Sequence, residues 1–172
     1  MQVLNIHERR IPRPAAEVGA LLDSLASDSD RLWPRTLWPA MRFDRPLGVG
    51  ADGGHGPVGY AVTEYHPGRY VRFRFSAPRG FDGHHWFEVC EDGDACVMRH
   101  TIEMEARGPA LVTWPLAIRH LHDALLEDAF ATAEMSLGLA PTVKPWSGWV
   151  KLLRRLAVGR RARPQEFGAA AQ

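Results

Sequence analysis

His85 and His100 are the residues whose type and placement first suggest chemistry. They flank an Asp92-Gly93 step, and Asp-Gly between alternating runs is a hairpin signal. With those two residues as the loop, Glu91 pairs with Asp94, and Val89, Phe87 and His85 face Cys96, Met98 and His100. All six share one face by parity, while Glu88, Arg99 and Glu103 fall on the other, so the histidines belong to the inner side. Directly opposed side chains approach to about 5 Å at Cβ. Two imidazoles so placed can orient a ligand carbonyl or do acid–base work near neutral pH. The same pattern also fits core histidines bonded to each other or to a buried tyrosine.

Asp128 is the third candidate. A 100° helical step puts it, with Thr132, in line with Leu121 and Leu125. An acid on an apolar stripe needs a partner. It either faces the sheet and its histidines or emerges from the core into solvent.

Other chemistries find less support. Zinc would need a third ligand near the histidine pair. His84 points the other way, His55 lies in a glycine-rich stretch and His66 in a turn, so neither a metal nor another cofactor is expected. Cys90 and Cys96 fall on opposite faces, which excludes a disulfide between them. GVGADGGHGPVG (48–59) lacks the phosphate-loop pattern and opens no helix, and there is no GxSxG. It reads as a flexible loop at a cavity mouth. Trp33, Trp38 and Trp86 read as packing aromatics.

The elements that must position these groups run in a simple order. Residues 3–11 alternate as a strand until Pro12 and Pro14 stop it. Ala15 to about Leu25 is a short helix with Val18, Leu21, Leu22 and Leu25 on one face. A helical turn near Arg31–Leu37 and a short strand over 40–46 follow. Then come strands over 58–66, 69–76, 84–91 and 95–106; Val71, Phe73 and Phe75 alternate with Arg72 and Arg74. One long helix spans 114–137, with Pro115 in its first turn and Gly138 at its C′ position.

The chain has 172 residues, 45% hydrophobic and 24% charged, which suits one soluble domain. Its start carries no signal-peptide pattern and no run is long enough to span a membrane, so a cytoplasmic location is expected. The net charge of +1 hides an asymmetry. Residues 1–138 carry 14 Lys and Arg against 19 Asp and Glu, whereas residues 139–172 carry 7 against 1. No body segment concentrates the positive charge that nucleic acid requires. In 146–161, Trp146, Trp149, Val150 and Leu153 share an arc opposite Lys151, Arg154 and Arg155. This amphipathic helix suits either a membrane interface or docking onto the acidic body or a second subunit. Residues after Arg163 read as disordered.

The order of elements resembles the START-like (SRPBCC) superfamily. The carrying segments are Leu4–Leu22, a strand running through prolines into a helix; HHWFEVCEDGDACVMRHTIE (84–103), like its penultimate hairpin; and IRHLHDALLEDAFATAEMSLG (118–138), like the terminal helix of polyketide cyclase/dehydrase and lipid-transport-like members. The 48–59 glycines lie where plant relatives carry a glycine-rich loop. The resemblance implies an α+β helix-grip fold: a curved antiparallel sheet around a long C-terminal helix, here residues 1–138, with 139–172 as a basic amphipathic extension. It also implies a cavity between sheet and helix for an apolar or amphipathic small molecule, lipid or polyketide-like. Phe73, Phe75, His85, Phe87, Met98, His100, Leu121, Leu125 and Asp128 are its candidate lining. The expected role is a carrier or sequestering protein. The alternatives are a cyclase/dehydratase-type enzyme using His85, His100 or Asp128, or a module that docks on membranes or partners through 146–161. No catalytic constellation of the aromatase/cyclases maps onto the chain.

Overall fold

The computed structural model describes residues 1–161, so the segment after Arg163 lies outside the described residues. Seven strands form one antiparallel sheet: β1 (Gln2–Ile11), β2 (Arg42–Phe43), β3 (Asp52–His55), β4 (Val58–His66), β5 (Tyr70–Ala77), β6 (Phe81–Asp92) and β7 (Ala95–Ala106). Their spatial order is β1-β7-β6-β5-β4-β3-β2. Period-two alternation sets the faces: Val71, Phe73 and Phe75 are buried, as are His85 and Phe87 on β6 and Met98, His100 and Ile102 on β7.

The β6–β7 register differs from the expectation by two residues. Asp92 pairs with Ala95, Phe87 with His100, and His85 with Ile102. The loop is therefore Gly93-Asp94. Gly93 takes the first turn position at φ 62°, as a type II′ hairpin prefers. An even shift preserves parity, so the two histidines remain on the inner face but meet diagonally.

The glycine stretch is not a free loop. β3 lies within it and pairs with both β2 and β4, leaving Gly56 and Pro57 as the turn. A Cβ at Gly53 would sit 2.0 Å from the Arg42 carbonyl oxygen, and one at Gly54 2.0 Å from that of Val58. These glycines permit close strand approach. The strand expected over 40–46 is only Arg42–Phe43, and the helical turn near Arg31–Leu37 reduces to a tight turn closed on the Pro34 carbonyl.

α1 (Ala15–Asp23) buries Val18, Leu21 and Leu22. Asp23 at its end accepts hydrogen bonds from the Tyr65 hydroxyl (2.9 Å) and the Gly68 N–H (2.7 Å), fastening the helix to the β4–β5 turn. The long helix begins four residues earlier than expected. α2 (Ala110–Thr113) runs through a π-turn (Trp114–Ile118) into α3 (Arg119–Ser136). Pro115 has no N–H to give, and the π-turn is where the ladder loosens around it. The end is as expected: Gly138 at φ 71° donates to Met135, and Leu139 to Glu134, a Schellman motif.

Beyond it the chain turns back over its own body. The Thr142 N–H donates to Glu134 (2.6 Å), and Lys144 pairs with Glu127 (2.8 Å). α4 (Gly148–Arg161) then packs against α3 and buries Val150. No helix among the described residues is long and apolar enough to cross a membrane.

Candidate functional site

Between sheet and long helix lies a cavity of about 810 Å³, within the range of small-molecule sites. Phe75, Phe81 and Ile102 come from the sheet, and Ile118, Leu121 and Leu125 from the helix. The turns before β2 add Trp33 and Trp38, and α4 adds Arg154 and Ala157. The walls are mainly apolar; the polar groups are concentrated in histidines.

Of the candidates read from sequence, Phe75, His85, Phe87, His100, Leu121 and Leu125 line this cavity. Phe73 lies behind it, stacked on His85 at 4.7 Å and packed against Tyr60 at 5.1 Å. Met98 is fully buried in the core beyond the lining. Asp128 neither faces the histidines nor reaches solvent. Its Oδ2 accepts hydrogen bonds from the indole N–H groups of Trp38 (2.7 Å) and Trp146 (2.9 Å), and the side chain is buried. It is a clamp between α3, the turn before β2 and the segment leading to α4.

His85 Nδ1 and His100 Nε2 lie 3.2 Å apart. Burial pushes the pKa of each well below the usual imidazole value, with repulsion from other histidines adding to it. Both are therefore neutral at pH 7. One ring donates in the shared bond and the other accepts. Their outer nitrogens, His85 Nε2 and His100 Nδ1, are buried without a partner. Whichever tautomer pair is present, these two atoms are one donor and one acceptor.

The structure adds three polar residues to this pair. His122, also on the lining, stands 5.0 Å from His100 ring to ring, and both its nitrogens are buried and unpartnered. Tyr60 packs edge-on to His85 at 4.6 Å, and its hydroxyl meets His55 Nδ1 at 2.9 Å. Burial holds the Tyr60 phenol well above its usual pKa, and burial with repulsion from His122 pushes His55 down to about 3. A signal for His122 exists in the sequence: it lies four and eight residues before Leu126 and Phe130, so the buried helix face is wider than the Leu121–Leu125 row. His55 carries no such signal, because only the β3–β4 pairing turns it inward.

One group among the described residues could hold a metal. His7, His122 and Asp123 place donor atoms within 4.8 Å of one another. As they stand, His7 Nε2 and Asp123 Oδ1 are bonded at 2.9 Å and Asn5 donates to the same oxygen at 3.1 Å, so Asn5, His7 and Asp123 form a hydrogen-bonded link joining β1 to α3. Cys90 and Cys96 are both free.

Comparison with known proteins bears on the fold. No family model and no curated protein matches the sequence. Among solved structures, a norcoclaurine synthase point mutant from Thalictrum flavum, in complex with a transition-state analogue, is similar with a TM-score of 0.60 and 16% identity over 80% of this chain and 96% of its own. A solution structure from Thermobifida fusca gives 0.58 and 16% over 82% and 97%. Ara h 8.0201 gives 0.55 and 10% over 80% and 99%. At such identities the likeness shows architecture alone. The chain has the helix-grip fold that the sequence resemblance implied.

Proposed function

We propose that this protein binds an apolar or amphipathic small molecule in the cavity, as a carrier or sequestering protein. The observation that carries this reading is a largely apolar cavity of about 810 Å³ with unpartnered polar atoms on three of its histidines. Apolar burial would supply affinity, and His85, His100 and His122 would fix orientation by bonding a hydroxyl or carbonyl. The norcoclaurine synthase and Ara h 8.0201 likenesses support the architecture of such a site and leave the ligand open. Native against denaturing mass spectrometry of freshly purified protein, with solvent extraction, tests it. A stoichiometric apolar compound is expected; a chain that arrives empty and binds no apolar probe overturns it.

The His85–His100 pair favours one second reading, a cyclase/dehydratase-type enzyme. Its acceptor nitrogen could take a substrate proton while the donor nitrogen protonates a carbonyl oxygen, the shared bond returning the pair to its starting charge. His100→Ala separates the two: an enzyme loses turnover of the extracted compound and keeps affinity, whereas a carrier changes in affinity alone.

A further inference from the structure

We propose that Arg154 makes the cavity mouth an anion site, so that the ligand is an amphipathic acid: a carboxylate, sulfonate or phosphate monoester on an apolar skeleton. The inference rests on the cavity reading and narrows it.

Among the described residues, Arg154 is the single side chain of the lining that carries a permanent charge. Its guanidinium sits in the corner formed by two indoles whose planes cross at 68°, 4.2 Å from the Trp38 ring centre and 4.0 Å from that of Trp146. Those indoles direct their N–H edges to Asp128. Asp128 thus orients two aromatic rings, and the corner they form holds the cation. Nη2 donates to the Leu37 carbonyl. Among the described residues no carboxylate comes within ion-pair distance of Arg154; the nearby acid, Asp128, is engaged by the tryptophans.

A guanidinium held in that corner keeps N–H groups that no carboxylate of the described residues occupies, and their planar fork is the geometry that a carboxylate or similar oxyanion matches with two parallel bonds. The rest of the described lining is apolar or neutral, so an acidic group is placed best beside Arg154. The skeleton then extends towards the neutral histidines, whose donor and acceptor suit a hydroxyl or carbonyl at the far end.

Two near-isosteric fluorescent probes test this on the full chain: N-phenyl-1-naphthylamine, which is neutral, and 1-anilinonaphthalene-8-sulfonate. Mutual displacement shows that they share one site. The wild type should bind the sulfonate about 10-fold or more tighter, the scale of one charge-assisted hydrogen bond. Arg154→Gln should abolish that preference, weakening the sulfonate by about 10-fold or more relative to the neutral probe measured on the same variant. Arg154→Lys keeps the charge and loses the fork, so it should retain part of the preference. A wild type without preference, or an Arg154→Gln variant that keeps it, overturns the anion site and leaves the cavity reading standing. Failure of the wild type to bind either probe overturns both. Should Arg154→Gln not fold, the wild-type ratio and the lysine variant decide the matter.

Discussion

Four histidines in and around the cavity, His55, His85, His100 and His122, are held neutral by burial. This makes the protein sensitive to acid. Below about pH 6.5 the unfolded chain takes up protons that the folded chain resists, so stability must fall as pH falls, by at most about 1.4 kcal/mol per pH unit for each histidine that stays neutral in the fold. Above that pH both states are neutral at these sites and the contribution is flat. Urea midpoints should therefore drop steeply between pH 6.5 and 5, and a His85→Phe variant should show a shallower drop; an unchanged slope would contradict the buried neutral state. Asp128 gives the second prediction at this scale. Asp128→Ala strands two indole N–H donors, one on a buried tryptophan, and should cost about 2–4 kcal/mol in urea unfolding. Asp128→Asn keeps an acceptor oxygen and should lose less than half of that. The acid on the apolar stripe was legible at residue level, as was its need for a partner. Its partners, 90 and 18 residues away, were not.

At the scale of elements, two glycines distinguish backbone strain from close packing. Gly93 turns the β6–β7 hairpin at φ 62°, and a Cβ there would meet open space. Gly93→Ala should therefore cost about 1–2 kcal/mol through the left-handed backbone alone and leave ligand binding unchanged. Gly19 is the opposite case. A Cβ there would lie 2.1 Å from the Gly68 carbonyl oxygen, so α1 and the β4–β5 turn must separate. Gly19→Ala should lose about 1–3 kcal/mol as an overpacked contact, read from its thermal midpoint, and should also weaken the Asp23 bonds to Tyr65 and Gly68. The alternation of β5 to β7 is written in the sequence because one sheet face is buried and the other solvated. The register is less so: Asp92-Gly93 and Gly93-Asp94 are both acceptable two-residue loops, and the choice between them depends on pairing along twelve residues of each strand. β3 carries no strand signal for a related reason. Its residues have poor strand propensity, and the close approach of β2 and β4 overrides it.

For the whole molecule, the described part of the basic segment after residue 138 contributes to the cavity wall. The described portion of α4 lays its inward face on α3 and gives Arg154 and Ala157 to the cavity lining, while Trp149, Leu152 and Leu156 remain exposed. Val150 is its one buried hydrophobic residue among those described, so α4 is held more weakly than the elements beneath it. Hydrogen exchange should show α4 amides opening at lower free energy than those of α3 and the β6–β7 hairpin, and a bound ligand should slow α4 first. Equal protection across all three would contradict that hierarchy. The sequence by itself determined the order of elements, the inward face of each strand and the charge divide at residue 138. These follow from local periodicity and composition, which neighbouring residues carry. Only the tertiary structure decided the diagonal meeting of His85 with His100, the inward turn of His55 and the tryptophan clamp on Asp128. Such contacts join residues far apart in the chain, and their geometry depends on how sheet and helix curve around a cavity that no local pattern encodes.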